Sequence, residues 1–166
     1  MSVTRRQFLV GVGAASATIV AAAACARSAT ASPPVDFEVT HTDAEWKRML
    51  TAEQYNVLRR AGTEMPYSSP LNDEHRHGVF SCAGCALDLF ASDTKFDSGT
   101  GWPSFWRPLD GAVLERSDDS IGMARTEVLC RRCGGHLGHV FDDGPQPTGL
   151  RYCMNGVAMK FHPESA

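Results

Sequence analysis

The chain has 166 residues, of which 43% are hydrophobic and 21% are charged, and its formal net charge at pH 7 is -3. These values fit one globular domain with a modest core. The mild acidity argues against a nucleic-acid partner, because binding to phosphates requires a basic face.

The first 31 residues differ in composition from the rest of the chain. Arg5 and Arg6 stand just before residues 10–24, which are uncharged and rich in Ala and Gly. A basic start, a short apolar run and small residues after it are typical of a secretory signal, and the adjacent arginines resemble a twin-arginine signal. The apolar run is shorter than the roughly 20 residues that span a membrane. We therefore expect residues 1–31 to be a signal peptide that sends the protein to the bacterial periplasm or cell envelope.

Two cleavage sites compete at the end of this segment. Residues 29–31 read Ala-Thr-Ala, a small-x-small site for a signal peptidase. Residues 22–25 instead resemble a loose lipoprotein box, whose cleavage would leave a lipidated Cys25 and attach the protein to a membrane. The first site is favoured because this box has Ala where Leu is usual. The prediction is then a linker over residues 32–40 and a folded domain over residues 41–162.

Two short helices are predicted at the start of the domain. Residues 42–45 and 51–54 each have the hydroxyl-x-x-Glu/Gln form of a capping box. The second helix is expected to end at Gly62, because glycine commonly follows a helix C-terminus. The predicted apolar faces consist of Trp46, Met49 and Leu50 in the first helix and of Tyr55 and Leu58 in the second.

From residue 63 onward the pattern changes to short strands. Gly, Pro, Asp and Asn clusters separate short apolar runs, and no further helical period occurs. The predicted strands include residues 78–80, 112–114, 126–129 and 157–161. We therefore expect a mainly β domain of antiparallel sheets with two short N-terminal helices.

Four of the six cysteines form two Cys-x-x-Cys pairs, Cys82 with Cys85 and Cys130 with Cys133. Two intervening residues let both sulfurs point inward from one tight turn, and glycines lie in or after each pair. The 44 residues between the pairs place the two turns on separate hairpins. The pattern predicts one structural Zn²⁺ per chain, with four thiolate ligands and no open position. Disulfides in an exported protein, or a redox Cys-x-x-Cys, are the alternatives.

Cys153 is the cysteine that remains outside these pairs and the predicted signal. A lone cysteine in a chain with His136 and His139 is a candidate nucleophile. Arg151, two residues before it, would favour the thiolate. The alternative is a buried cysteine without chemistry, which behaves as a small apolar residue.

The motifs along the domain resemble those of methionine sulfoxide reductase B. They occur in the same order as in that family and cover nearly all of the predicted mature chain. Besides both cysteine pairs, the matching segments are residues 63–66, 89–90, 95–99, 101–105, 125–128, 136–141, 143–145 and 151–153, with Asn155.

The resemblance implies thiol-dependent reduction of methionine (R)-sulfoxide in oxidised proteins, here for the repair of envelope proteins. The Cys153 thiolate would attack the sulfoxide sulfur and end as a sulfenic acid. The oxygen must gain protons to leave, and the resemblance gives this role to His139, with His136 and Asn155 nearby. Trp102 would form an apolar wall against the substrate methyl group, so that the site selects one epimer.

The resemblance also implies a fold of the Mss4-like, β-tent type around a structural zinc site. The sequence departs from the family in two places. Many relatives carry a resolving cysteine where this chain has Thr100, so its sulfenic acid would need an external reductant, a thioredoxin-like protein or a small thiol. Gly156 follows Asn155, where serine is common.

Two other functions compete with this one. A zinc-stapled binding module without catalysis would use an exposed aromatic surface, and it would have no need for Cys153 or the paired histidines. A Cys-His hydrolase would need an oxyanion hole, for which the sequence gives no sign.

Overall fold

The computed structural model describes residues 36–120 and 122–164. The predicted signal and the first part of the predicted linker lie outside the described residues. Within the described part of the chain, no helix has the length and apolar character needed to cross a membrane.

The two predicted helices are present, as α1 (Asp43–Met49) and α2 (Ala52–Arg60). Both capping boxes form, because each threonine N-cap side chain accepts the backbone N–H three residues on, and its own backbone N–H donates to the Glu or Gln side chain there. The apolar face of α1 is narrower than predicted. Met49 is 54% exposed, because adjacent positions on a helix lie about 100° apart and only Trp46 and Leu50 turn toward the core. In α2 the left-handed residue is Ala61, one position before Gly62.

Nine antiparallel strands in the described residues form two sheets. Three of the strands form a small sheet in the order β2-β1-β9, and six form a larger sheet in the order β3-β4-β8-β7-β6-β5. The strands are β1 (Gly78–Cys82), β2 (Asp88–Ala91), β3 (Lys95–Phe96), β4 (Ser104–Phe105), β5 (Val113–Asp118), β6 (Arg125–Cys130), β7 (His136–Phe141), β8 (Arg151–Met154) and β9 (Met159–Pro163). The mainly β prediction is confirmed.

One predicted strand begins later than expected. Residues 157–161 were predicted to be extended throughout, but Gly156–Ala158 form a short 3-10 turn and β9 begins at Met159. The turn forms because the Glu64 carboxylate accepts hydrogen bonds from the free backbone N–H groups of Gly156 and Val157. Two other 3-10 turns, Pro70–Asp73 and Ser92–Thr94, lie in the connections.

Aromatic side chains from both sheets meet in the core. Phe90 of the small sheet stacks on Phe105 of the large sheet at 4.3 Å between ring centroids, and Phe80 meets Phe105 edge-on at 5.0 Å. All three rings are fully buried. Burial of rings of this size dominates the energetics of small cores. The packing fixes β4, and through it the adjacent central strand β8.

Candidate active site and metal site

The two Cys-x-x-Cys pairs come together although the chain separates them widely. The four sulfur atoms lie within 4.8 Å of one another, and none of these cysteines is in a disulfide. Cys82 Sγ is 3.8 Å from Cys133 Sγ, and Cys85 Sγ is 3.5 Å from Cys130 Sγ. A tetrahedral zinc ion with Zn–S bonds of about 2.3 Å requires sulfurs about 3.8 Å apart. The donor set therefore fits such an ion in number, type and spacing.

The two turns that carry these cysteines repeat the same backbone hydrogen bonds. In the first turn Ala86 N donates to Cys82 O, and in the second Gly134 N donates to Cys130 O, both at 2.8 Å. Cys82 N and Cys130 N donate to the carbonyls five residues on, also at 2.8 Å. Ala86 and Gly134 both have a positive φ. At Gly134 glycine is required, because a Cβ would lie 2.5 Å from the ring of Phe37.

Cys153 lies on the central strand β8, between two strands that present polar side chains. In register it faces His139 on β7 and Ser104 on β4. Residues at one register position of neighbouring strands point to the same face, so these side chains converge. Cys153 and His139 line a cavity of about 170 Å³, whose walls are formed by Thr63, Trp102, Arg125, Gly138, His139, Phe141, Cys153 and Asn155. Four residues singled out from the sequence therefore meet here.

The surroundings of Cys153 act on the pKa of its thiol in two opposite directions. Burial raises the pKa of Cys153 above its ordinary value, while hydrogen bonds from Thr100 and Ser104 and the charge of Arg151 act in the opposite direction. Thr100 Oγ1 lies 3.9 Å from Cys153 Sγ. The Arg151 guanidinium makes two bonds of 2.8 Å to Asp143, so much of its charge is directed at that carboxylate. The pKa of Cys153 is raised overall, so burial outweighs the polar neighbours that support the thiolate.

His139 is bound by a carboxylate from the edge strand of the large sheet. His139 Nε2 lies 2.7 Å from Asp118 Oδ2, and Arg125 Nη2 lies 2.5 Å from the same oxygen. Burial lowers the pKa of His139, and the bond to Asp118 raises it in part. Hydrogen bonds from Ser120 and then from His139 hold the pKa of Asp118 well below its usual range.

His136 does not line the cavity. Its ring is 4% exposed, and its centroid lies 5.4 Å from that of His139. His136 Nδ1 lies 2.7 Å from Glu127 Oε1, and Arg116 Nη2 donates to the other Glu127 oxygen at 2.6 Å. His136 is therefore placed to support the His139 ring and does not contact a ligand in the cavity.

Trp102 and Asn155 are held by one residue, Glu64. Trp102 Nε1 donates to Glu64 O at 3.2 Å, and Glu64 N donates to Asn155 Oδ1 at 2.9 Å. The Glu64 carboxylate accepts the N–H groups of Gly156 and Val157 at 2.6 and 2.9 Å. Burial raises the pKa of this carboxyl, and the two backbone bonds oppose the rise. Glu64 thus fixes the aromatic wall and the amide of the cavity together.

The chain matches the model of the SelR domain over residues 50–163. It is 53% identical over 131 residues to the peptide methionine sulfoxide reductase MsrB of Leptospira interrogans, which covers 78% of this chain and 100% of the relative. The protein of the same name from Agrobacterium fabrum is 54% identical over 127 residues, or 76% of this chain and 94% of the relative. The protein of the same name from Thiobacillus denitrificans is 55% identical over 124 residues, which is 74% of this chain and 94% of the relative. The chain belongs to the MsrB family.

The MsrB match spans every cysteine, histidine and tryptophan assigned to the site above. Glu64, Asp118 and Glu127 are among the site residues to which the sequence assigned no role. Glu64 lies in residues 63–66, a segment that matches the family without indicating a role, and its contact with Gly156, 92 residues away, leaves no local pattern. Glu127 lies on the predicted strand 126–129, whereas Asp118 lies at the end of β5, beyond the predicted strand 112–114.

The glycine at position 156 has a structural reason. A Cβ added there would lie 2.0 Å from Ser69 Oγ and 2.5 Å from Ser69 Cβ. Real Cβ atoms do not approach other atoms this closely, so a serine at 156 would displace Ser69 or the turn. The turn nevertheless keeps both of its bonds to Glu64.

Proposed function

We propose that this MsrB-family chain reduces methionine (R)-sulfoxide in proteins to methionine, with Cys153 as the nucleophile. The observation that supports it is the convergence of Cys153, His139, Asn155 and Trp102 on one cavity. A binding module without catalysis has no use for a cysteine in register with a histidine inside a cavity.

The reaction is a transfer of one oxygen atom. The Cys153 thiolate forms a bond to the sulfoxide sulfur, and His139 supplies a proton to the oxygen. The oxygen then passes to the Cys153 sulfur as the bonds from the methionine sulfur to oxygen and to Cys153 break, and methionine leaves. In net terms a thiol and a sulfoxide become a sulfenic acid and a thioether, so that the sulfur of methionine is reduced and that of Cys153 is oxidised. The Trp102 face accommodates the S-methyl group, and the polar groups of His139 and Asn155 lie on the oxygen side, which favours one epimer.

Recycling of the sulfenic acid needs electrons from outside the chain. Thr100 Oγ1 lies 3.9 Å from Cys153 Sγ, but a hydroxyl cannot form a disulfide. Two external thiols, from a thioredoxin-like protein or a small thiol, would reduce the sulfenic acid back to the Cys153 thiol. The external thiols would end as a disulfide, and the oxygen would leave as water.

The four-cysteine site is proposed to hold one Zn²⁺ per chain, through Cys82, Cys85, Cys130 and Cys133. Four thiolates leave no open coordination position, so the ion would cross-link the two hairpins and take no part in the reaction. Elemental analysis of the purified protein tests this directly: about one zinc per chain is expected.

The proposed place of action is the bacterial cell envelope, reached through the twin-arginine signal in residues 1–31. That route carries folded proteins, so the zinc site would be filled before the cysteines meet an oxidising compartment. Replacement of Arg5 and Arg6 by lysine should retain active protein in the cytoplasm. An unchanged periplasmic fraction would contradict the export proposal.

The enzyme proposal is tested with a peptide that contains methionine sulfoxide, and dithiothreitol as reductant. The wild type should form methionine from the R epimer and leave the S epimer untouched. Cys153→Ser should form none while it binds the same amount of zinc. Equal turnover by the two proteins would refute the mechanism.

A further inference from the structure

The two carboxylate–histidine pairs of the large sheet differ in what their histidines face. His136, bound by Glu127, is almost fully enclosed. His139, bound by Asp118, lines the cavity together with Cys153. A substrate in the cavity therefore meets the ring that Asp118 holds.

We infer that Asp118 is a positioning residue for the reaction, which orients the imidazole of His139 and favours its protonated form for delivery of a proton to the sulfoxide oxygen. The inference rests on the proposed function. Asp118 acts through His139 and does not line the cavity around Cys153.

The Asp118 carboxylate is fixed on both of its oxygens. Oδ2 lies within hydrogen-bond distance of both His139 Nε2 and Arg125 Nη2, and Oδ1 accepts the backbone N–H of Ser120 at 3.0 Å. Asp118 and Arg125 are also cross-strand partners in β5 and β6. Its side chain is 15% exposed, so water competes little for these bonds. The carboxylate therefore has one orientation, and it transmits that orientation to the imidazole ring.

A fixed carboxylate against one imidazole nitrogen has two chemical consequences. The Asp118 carboxylate binds Nε2 of the His139 ring, so Nδ1 is left to exchange a proton with a substrate. It also stabilises the imidazolium, since an opposite charge at this distance favours the charged form. In the step itself the thiolate forms a bond to the sulfoxide sulfur, the S=O bond becomes an S–OH bond as its oxygen takes the proton of His139, and the ring is neutral until solvent protonates it again.

Other charged groups near His139 set the size of the effect. Arg125 and His136 lower the pKa of His139, as does burial, while Asp118 raises it. Glu127 is the cross-strand partner of His139 on β6, and Cys153 is its partner on β8. The groups that face the ring are Asp118 on β5, Arg125 and Glu127 on β6, His136 on β7, and Cys153 with Arg151 on β8. Burial and the positive neighbours lower the pKa of His139, and the Asp118 carboxylate raises it. When the Asp118 charge is removed, the pKa of His139 therefore falls.

The test compares Asp118→Asn with Asp119→Asn, which removes the exposed carboxylate next to it. A reaction that needs protonated His139 declines as pH rises through the pKa of that ring. In Asp118→Asn this decline should move to lower pH, with kcat/KM about tenfold lower at pH 8, a smaller loss at pH 6 and an unchanged KM. Asp119→Asn should follow the wild type at every pH. Asp118→Glu, which keeps the charge, should recover part of the loss.

A second measurement does not depend on turnover. NMR titration of the His139 ring protons should show a lower pKa in Asp118→Asn than in the wild type and Asp119→Asn. Superimposable pH profiles, or equal losses in the two variants, would overturn the inference. If Asp118→Asn does not fold, Asp118→Glu decides: a profile and a ring titration both identical to wild type would mean that the position of this carboxylate does not matter. A wild type that titrates as expected but reduces no sulfoxide would refute the proposed function and leave the Asp118–His139 coupling intact.

Discussion

Replacement of Thr100 by cysteine should convert the oxidised end product from a sulfenic acid into an internal disulfide. Thr100 Oγ1 lies 3.9 Å from Cys153 Sγ, and a disulfide requires about 2.05 Å between sulfurs. The segment must therefore move by about 2 Å. Gly99 and Gly101 flank the position with φ values of +69 and +88, and glycine adjusts its backbone at low cost. We expect the bridge to close without disruption of β4 or β8.

The size of the effect follows from the loop that the bridge would close. The two residues are 53 positions apart, for which the chain-entropy relation gives about 4 kcal/mol of stabilisation. For a domain of this size that corresponds to a rise in Tm of roughly 10 °C. Strain from the 2 Å movement reduces this figure, so it is an upper value.

The assay is intact mass after one turnover with a sulfoxide peptide and no reductant. The wild type should gain one oxygen or its dimedone adduct, whereas Thr100→Cys should lose two hydrogens and react no further with dimedone. Thr100→Ser, which keeps the hydroxyl, serves as the matched control and should behave as the wild type. A dimedone adduct in Thr100→Cys, with no rise in Tm on oxidation, would show that the two positions do not meet as the structure implies.

Three further predictions concern the site and its supports. Cys153→Ser should abolish sulfoxide reduction with an unchanged far-UV spectrum, and His139→Ala should slow single-turnover reduction by roughly 10²-fold or more. Cys130→Ser should remove the metal and cost solubility as well as activity, because structural zinc sites contribute about 10–16 kcal/mol of apparent binding energy in small peptides; a soluble, metal-free and active variant would contradict this. Gly156→Ser should lower the free energy of unfolding by about 1–3 kcal/mol in denaturant titrations, and added Ser69→Gly should restore most of it, since the clash is with that side chain.

Local sequence patterns predicted the features whose partners lie close along the chain. The two capping boxes need partners three residues apart, and each cysteine pair needs one turn, so short motifs suffice. Strands β5 and β6 were partly located because their apolar residues stand between Gly, Asp and Asn clusters. The resemblance to a family placed Cys153, His139 and Trp102 in one reaction, and the structure brings them to one cavity.

The supports of the site depend on contacts that sequence spacing does not encode. Asp118 reaches His139 across 21 positions and two strand pairings. A bulge between Val128 and Leu129 shifts the register there, so counting residues would have paired the wrong side chains. Glu64 lies 92 positions from Gly156 in a loop without periodic structure. Strand β8, with four residues, is too short to show an alternation.

The repeated backbone bonds of the two cysteine turns have a consequence for how the site is filled. Those bonds join main-chain atoms and do not involve sulfur, so each turn is shaped before an ion arrives. An incoming ion would bind two cysteine turns whose backbone bonds do not depend on it, and its binding would join the two hairpins. Its escape, by contrast, would require one whole hairpin to swing away from the other. We therefore expect the ion to bind quickly once the two sheets have packed together, and to dissociate slowly in the presence of a chelator.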